Sequence, residues 1–241
     1  MRARLLALGA MALVMCGAPV AAQAPTAAQV AAQARTRWEQ RLRDVRNYTV
    51  TQQVLGVEMI VYFERMGGPA GDAWRSRVFT RGANGTLRQT RAHTSPFPFE
   101  QLRLFRDHAA QMRYEGTSAT DGKQALVLTV DGADLGDLAP GMPLGGRPEE
   151  VRNSHARLFL DPQEYLPLKV SLTLGGAAGA GSALTVVARF SDYRAVGAGL
   201  VLPFRTTFSP DTGDGTDGGT QIAITVRDVK VNTGPPPGAP R

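Results

Sequence analysis

The clearest pattern in the sequence is a strict alternation of apolar and polar residues in its C-terminal half. Leu168, Val170, Leu172 and Leu174 alternate with Lys169, Ser171 and Thr173. This alternation is typical of an antiparallel strand with one buried face. Similar patterns predict further strands over 156–160, 186–190, 202–208 and 222–226. Short turns separate several of these segments, so we expect neighbouring strands to pair in an antiparallel sheet.

The N-terminal half begins with a helical period and then changes to the period of a strand. Thr26 and Gln29 predict a capping box, and an apolar stripe follows at spacings of three or four, made by Val30, Ala34, Trp38, Leu42 and Val45. After Asn47 the period is two, which predicts strands over 48–55 and 57–65. Two more strands, 74–80 and 86–91, flank the hairpin signal Asn84-Gly85, and 124–130 is a further strand.

The remaining segments predict a second helix, a loop and a tail. Phe99 to Met112 has amphipathic spacing, whereas Asp131 to Arg147 is rich in Gly, Pro and Asp and indicates a long loop before a short helix at Pro148–Glu150. Residues 233–241 are rich in Pro and Gly, and we expect them to be disordered. The sequence thus predicts one domain over 26–232, mainly β with α, with about ten strands and two main helices on a curling sheet.

Residues 1–22 have the layout of a cleavable secretory signal peptide. Arg2 and Arg4 precede an apolar run from Leu5 to Ala18, and Ala22 offers a cleavage site. The alternative is a retained membrane anchor, but the run is shorter than the ~20 residues that span a bilayer. Met15 before Cys16 argues against lipid attachment at that cysteine. We therefore expect a periplasmic protein that is soluble after cleavage.

The charge of the chain gives little support to a nucleic-acid partner. The formal charge is +6 at pH 7, of which cleavage would remove the two arginines of the leader. Arginines are spread along the chain among Asp and Glu, which indicates a solvated surface and not a phosphate-binding patch. The small positive bias is compatible with an anionic membrane surface.

The candidate catalytic and metal-binding motifs are weak. His93, His108 and His155 stand in separate elements without nearby ligand partners. Asp211-Thr212-Gly213 matches an aspartic-protease triplet but lies in a soft run without a second copy. Asp211, Asp214 and Asp217 are better explained as a soluble hairpin tip than as a calcium loop. Because no G-x-S-x-G, phosphate-binding loop or H-E-x-x-H is present, we expect a binding protein without cofactor or metal, and not an enzyme.

Several short stretches, taken in order, resemble one family. They are Val45 to Val50 after the first helix; Leu158-Phe159-Leu160-Asp161-Pro162-Gln163-Glu164-Tyr165-Leu166-Pro167-Leu168-Lys169-Val170; Asp192-Tyr193-Arg194 with Gly199 to Phe204; and Val229 to Asn232. Together they resemble the LolA-like periplasmic carriers and sorting proteins of outer-membrane lipoproteins. The resemblance covers most of residues 26–232 and implies an incomplete, half-open β-barrel with helices lying over an apolar cavity.

That resemblance implies a monomeric carrier that holds lipid or lipoprotein acyl chains for outer-membrane lipoprotein sorting, with envelope membrane proteins as further partners. The cavity would be lined by apolar strand residues, namely Val57, Met59, Val61, Phe63, Leu168, Leu172 and Phe204. For each of these residues taken singly, a position in an ordinary closed core is the favoured interpretation, and an open concave face would decide between the two. The family's carriers also latch the helical lid with a basic residue from an early strand, and the pattern Trp74-Arg75-Ser76-Arg77 does not match it. The alternatives are an envelope structural or stress-sensing domain that binds another protein, and a hydrolase, for which the sequence offers no residues.

Overall fold

The computed structural model describes residues 24–67, 73–90, 104–131, 154–174, 184–211 and 221–240. It contains one long helix, α1 (Ala27–Leu42), whose start follows directly from the sequence. The Thr26 hydroxyl accepts a hydrogen bond from the Gln29 amide at 3.2 Å, and the Gln29 side chain accepts one from the Thr26 amide at 2.8 Å. These two bonds satisfy amide groups that a helix otherwise leaves unpaired, and they confirm the predicted capping box.

Besides α1, the described chain has a short helical segment over 104–111 and eleven strands, which form one antiparallel sheet. Their order in the sheet is β4-β3-β2-β1-β11-β10-β9-β8-β7-β6-β5. The bounds are β1 (Asn47–Val54), β2 (Val57–Met66), β3 (Ala73–Arg81), β4 (Leu87–Thr90), β5 (Arg113–Thr120), β6 (Lys123–Asp131), β7 (His155–Leu160), β8 (Pro167–Leu174), β9 (Leu184–Gly197), β10 (Leu200–Pro210) and β11 (Ile222–Val231).

The sheet is open, with β4 and β5 at its two ends and no pairing between them among the described residues. Every strand pairs with a neighbour in sequence; among the described strands the one pairing between strands far apart in sequence is that of β1 with β11, which joins the two halves of the chain. This arrangement confirms the predicted mainly β, half-open architecture. We call the face of the sheet that packs against α1 the inner face and the opposite face the outer face.

Two strands differ from the prediction. Strand β5 was not predicted, because Arg113 to Thr120 contains few apolar residues and its outward positions are exposed at the end of the sheet. Strand β9 continues from the predicted 186–190 through the polar residues Ser191 to Arg194, because it pairs along nearly all of β10. Pairing with a neighbour stabilises a polar strand segment that has no apolar alternation of its own.

The second predicted helix is seen in part. Residues 104–107 are helical and Ala109–Gln111 form a 3-10 turn, while Leu104, Phe105 and Met112 are buried. The predicted residues 99–103, the leader 1–22, the loop 132–147, the helix at Pro148–Glu150, His93, and Asp214 and Asp217 lie outside the described residues.

The C-terminal tail, expected to be disordered, follows a defined path as far as residue 240. The Gly234 amide donates to the Asn47 side-chain oxygen at 2.9 Å, and Ala239 packs against an apolar cluster on the outer face. Prolines fix the backbone angle φ and so reduce the entropy lost when such a segment is ordered. Composition alone does not reveal the surface on which the tail lies.

Candidate binding surface

The inner face of the sheet carries two apolar clusters beneath α1. The larger cluster contains Leu128, Leu158, Leu172, Phe208 and their neighbours on β5 to β10, together with Leu104 and Phe105. The smaller cluster lies on β1 to β3 and the start of β10 and includes Tyr48, whose ring stacks on Phe63 with centroids 4.5 Å apart. These two clusters make up the apolar surface on which the resemblance would place a ligand.

Helix α1 covers this face with the stripe that the sequence predicted. Val30, Ala34 and Trp38 are buried in the larger cluster, and Leu42 is buried in the smaller one. The fully buried Trp38 ring lies below the guanidinium of Arg41, with the Cζ atom 5.0 Å from the ring centroid. The apolar stripe along α1 therefore places the helix across both clusters.

Arg41 ties α1 to the turn between β7 and β8. Its Nη2 donates to the Glu164 carbonyl oxygen at 2.8 Å and to the Glu164 carboxylate at 2.7 Å. Asp161 shapes this turn, since its carboxylate accepts hydrogen bonds from the amides of Gln163 and Glu164 at 2.9 and 2.7 Å. Burial lowers the pKa of Arg41, and the hydrogen bond and charge of Glu164 oppose that shift.

Arg65 on β2 holds the C-terminal end of α1. Its Nη2 donates to the Leu42 carbonyl at 3.0 Å and its Nη1 to the Arg43 carbonyl at 3.3 Å, while Cζ lies 5.3 Å from the Trp74 ring centroid. The last carbonyls of a helix lack internal partners and carry partial negative charge, so a cation is favourable there. Sequence reasoning did not identify Arg65, whose only signal is a basic residue at the end of β2, the second strand after the helix.

The two arginines of the Trp74-Arg75-Ser76-Arg77 stretch have other partners. Arg75 pairs with Glu64 at 3.0 Å, and Arg77 lies over the rings of Tyr62 and Phe79 on the outer face. Both side chains therefore lie on the face of the sheet opposite α1, away from the helix that a lid latch would hold.

The structure brings together only some of the predicted ligand-lining residues. Val61 and Phe63 belong to the smaller inner cluster with Met59 packed against it, and Leu172 belongs to the larger one. Val57 is 54% exposed at the β1–β2 turn. Phe204 is buried beneath the guanidinium of Arg194, whose Cζ lies 4.3 Å from the ring centroid.

Leu168 differs from the prediction that it shares a face with Leu172. It packs with Ala125, Val127 and Phe159 in a separate cluster. Val127 alternates along β6 with the inner residues Leu126 and Leu128, so this cluster belongs to the outer face. The cause is a register shift between β7 and β8 at Phe159/Leu160, which a strict alternation of residues cannot reveal.

The inner face is closed in the described part of the chain. Val61 and Leu172 are each 1% exposed, and Trp38 is fully buried above the sheet. A groove of about 520 Å³ does lie beside α1, between the helix and the β7–β8 turn. Its lining includes the polar residues Gln33, Thr36 and Arg37, so its chemistry does not suit an acyl chain.

The described histidines have ordinary polar partners. The His108 Nδ1 lies 3.1 Å from the Gln111 side-chain oxygen, and the His155 Nδ1 lies 2.6 Å from the Asp131 carboxylate. That hydrogen bond, together with the charge of Arg113, lowers the pKa of Asp131. Within the described ranges no group of three His, Cys, Asp or Glu residues is arranged to hold a metal, and no helix has the length and hydropathy to cross a membrane.

Comparison with known proteins gives matches at the level of structure. No protein-family model and no curated protein matches the chain. The fold is similar to that of an outer-membrane lipoprotein-sorting protein domain from Vibrio parahaemolyticus, with a TM-score of 0.47 and 12% identity over 86% of this chain and 95% of that one.

Two further solved structures are similar. A DUF1329 family protein from Desulfovibrio piger gives a TM-score of 0.46 and 10% identity, over 87% of this chain and 93% of that one. The lipoprotein LppX of Mycobacterium tuberculosis gives 0.28 and 9%, over 85% and 98%.

Proposed function

We propose that this protein is a periplasmic, non-enzymatic binder of lipid or lipoprotein acyl chains, acting as a carrier in outer-membrane lipoprotein sorting. The observation that carries the proposal is the open sheet whose inner face carries two apolar clusters, both covered by one long helix. A surface of this kind can hold a hydrocarbon chain without any catalytic group, since each buried CH₂ contributes about 0.8 kcal/mol.

Binding requires α1 to move away from the sheet, because the inner face is closed. The polar contacts that oppose this movement are few and lie near the rim: Arg65 with the helix end, Arg41 with Glu164, and the Tyr165 hydroxyl with Gln33. These contacts exchange for bonds to water when the helix moves, so each contributes about 0.5–1.5 kcal/mol, or up to about 3 kcal/mol where the donor is charged. An acyl chain that replaces the apolar contacts of α1 therefore has a polar cost of a few kcal/mol to offset.

Trp38 provides a direct reporter of that movement, since it is fully buried between α1 and the sheet. Trp74 is the only other tryptophan of the chain, so a Trp74→Phe protein reports on Trp38 alone. We expect a lipidated peptide to bind in native mass spectrometry and to shift the Trp38 emission to longer wavelength. The same peptide without its acyl chains is the control.

A loosened lid should bind more readily. Arg65→Met keeps the aliphatic stem but removes both hydrogen bonds to α1, so we expect faster uptake of acyl ligand. Arg75→Met on β3 removes a surface ion pair with Glu64 and is the matched control. Proteins that stay empty when offered lipidated peptide, with Arg65→Met behaving as Arg75→Met, would contradict the carrier proposal.

A second candidate function is supported by the closed packing of the inner face. A filled sheet with Val61 and Leu172 out of contact with solvent is what a protein-binding or stress-sensing envelope domain would show. Such a domain would bind a partner through its helix or sheet surface, with Trp38 emission unchanged. Pull-down from envelope extracts, repeated with delipidated material, distinguishes this candidate from the carrier.

A further inference from the structure

The outer face carries a small aromatic surface on the N-terminal strands. Ile60 and Tyr62 on β2 and Phe79 on β3 form a buried cluster, and Leu87 and Ala239 pack against it. We call Ile60, Tyr62, Phe79 and Arg77 the outer patch. These β2 residues alternate with Val61 and Phe63, so the outer patch lies on the opposite face of the sheet from the proposed acyl-binding surface.

Arg77 combines two kinds of contact in this patch. Its Cζ lies 5.1 Å from the Tyr62 ring centroid and 6.0 Å from that of Phe79. Its Nη1 donates to the carbonyl oxygen of Pro240 at 3.4 Å. One guanidinium therefore stacks on the aromatic rings and at the same time binds the backbone of the tail.

Asn232 fixes the point at which the tail leaves the sheet. Its side-chain oxygen accepts from the amides of Arg46 and Asn47 at 2.7 and 3.3 Å, and its Nδ2 donates to the Asp44 carbonyl at 2.8 Å. Asn232 adopts φ of +58°, a left-handed conformation that Asn tolerates better than most residues. The chain turns there, and a second turn, with the Ala239 amide bound to the Pro236 carbonyl at 3.1 Å, brings Ala239 onto the patch.

We propose that the outer patch is a docking surface for Pro/Gly-rich peptides that turn as the protein's own tail does, and that this tail, residues 233–240, occupies the patch in cis. The tail is held there by the packing of Ala239 on the aromatic cluster and by the hydrogen bond from Arg77 to the Pro240 carbonyl. The prolines of such a segment also restrict its backbone before it binds, so it loses little entropy.

Because the tail belongs to the same chain as the outer patch, it can occupy the patch although the contact between them is small. A tethered segment has an effective concentration in the millimolar range, so even a weak surface is occupied by its own tail. A Pro/Gly-rich segment of another protein must displace that tail. This gives the protein a second binding surface, independent of ligand on the inner face.

The test replaces residues 233–241 by a Gly/Ser sequence of equal length in the otherwise complete protein. A fluorescent peptide with the sequence of residues 233–241 is titrated into the replaced and the original protein, and anisotropy is measured. We expect the replaced protein to bind the peptide at least about tenfold more tightly, because no tethered competitor remains. Arg77→Met in the replaced protein should abolish the gain, and Arg75→Met, on the same strand and face, should keep it.

A second variant guards against a folding defect in the replaced protein. Ala239→Asp leaves the tail in place but puts a charge against the apolar cluster, and we expect it to admit the peptide in the same way. Circular dichroism and hydrogen exchange of residues 58–64 verify the fold and the release of the tail. Absence of peptide binding by folded protein up to millimolar peptide, or equal binding to original and altered proteins, would overturn the proposal.

Discussion

At the scale of single residues, arginine provides most of the polar contacts around the apolar clusters. Arg41, Arg65, Arg77 and Arg194 each place a guanidinium over an aromatic ring, at 4.3 to 5.3 Å from the nearest ring centroid. The first three also donate hydrogen bonds to backbone carbonyls. A planar guanidinium presents five donors in a fixed fork and stacks flat on a ring, whereas a lysine ammonium is a compact charge with three donors. This gives a structural reason for the arginine-rich composition of the chain.

The pair formed by Arg41 and Glu164 is asymmetric, and this leads to a prediction. Arg41 is 9% exposed, whereas the Glu164 side chain is 59% exposed. Glu164→Ala leaves a buried cation with only the backbone carbonyl, so we expect a loss of about 1–2 kcal/mol of unfolding free energy. Arg41→Met leaves a solvated carboxylate and should cost less, about 0–1 kcal/mol. Urea unfolding of both single variants and the double variant measures this.

The double variant distinguishes two explanations for the stability that Glu164→Ala loses. If the cost of Glu164→Ala comes from stranding Arg41, it disappears once Arg41 is already methionine. Additive losses in the double variant would show instead that Glu164 stabilises the turn by itself.

Val57 and Val61 give a second prediction at this scale, since they lie on the same strand with opposite burial. Val61 is 1% exposed and Val57 is 54% exposed. We expect Val61→Asp to cost at least about 3 kcal/mol, because the charge would be buried without a partner. Val57→Asp should change stability by no more than about 0.5 kcal/mol. Equal effects, measured by urea unfolding, would mean that the inner face is not a closed core.

At the scale of elements, the strands with alternating residues could be predicted and those without could not. Strand β8 and the flanks of Asn84-Gly85 follow from side-chain pattern and turn chemistry. Strand β5 is polar and is stabilised by β6, and the position of Leu168 depends on a shift in pairing with β7. Pairing partners are distant in sequence, so neither feature leaves a local signal.

In the candidate site, too, some features have a local signal in the sequence and others do not. The stripe of α1 predicted which helix residues are buried, and Val61, Phe63 and Leu172 lie on the inner face. The contacts that hold the helix join residues far apart, Arg65 to Leu42 and Arg41 to Glu164. Such contacts depend on the folded arrangement of β2 and the β7–β8 turn, which no local pattern encodes.

Helix α1 is secured differently at its two ends, and this gives a third prediction. Thr26→Ala removes the N-terminal cap and should cost about 1 kcal/mol, with faster hydrogen exchange confined to the first turns. Arg65→Met removes the donors to Leu42 and Arg43 and should cost about 1–2 kcal/mol, with faster exchange in the last turn. Hydrogen-exchange mass spectrometry separates the two. Exchange that rises along the whole helix in either variant would show that α1 opens as one unit.

At the scale of the whole molecule, the open sheet keeps two surfaces apart. The inner face carries the clusters that α1 covers. The outer patch lies on the opposite face of β2 and β3, beneath the tail. A sheet one layer thick allows adjacent residues, Val61 and Tyr62, to serve opposite faces. Stability of the molecule as a whole then depends on contacts that join the helix, both halves of the sheet and the tail.

Tyr193 joins several of these parts. It lies on β9, packs against the larger inner cluster, and donates its hydroxyl to the Pro167 carbonyl on β8. Burial raises the pKa of Tyr193 well above its usual value, with the positive charge of Arg41 on α1 acting in the opposite direction. The neutral phenol is therefore the form that the fold accepts, since a phenolate could not donate to the carbonyl.

This gives a prediction for alkaline pH. A tyrosine whose pKa is raised by folding contributes stability that is complete below the unfolded pKa of about 10 and is lost as pH rises toward the folded value. We expect the unfolding free energy to fall above pH 10 by up to about 1.4 kcal/mol per pH unit for each such tyrosine. Tyr193→Phe should be less stable at neutral pH, by about 1 kcal/mol for the lost hydrogen bond, yet its stability should decline less steeply with pH.

The control is Tyr114→Phe, which removes the hydroxyl of another tyrosine that packs against the same cluster. Urea titrations at several pH values measure the slopes, and identical slopes in all three proteins would show that Tyr193 ionises as freely in the folded state as in the unfolded one.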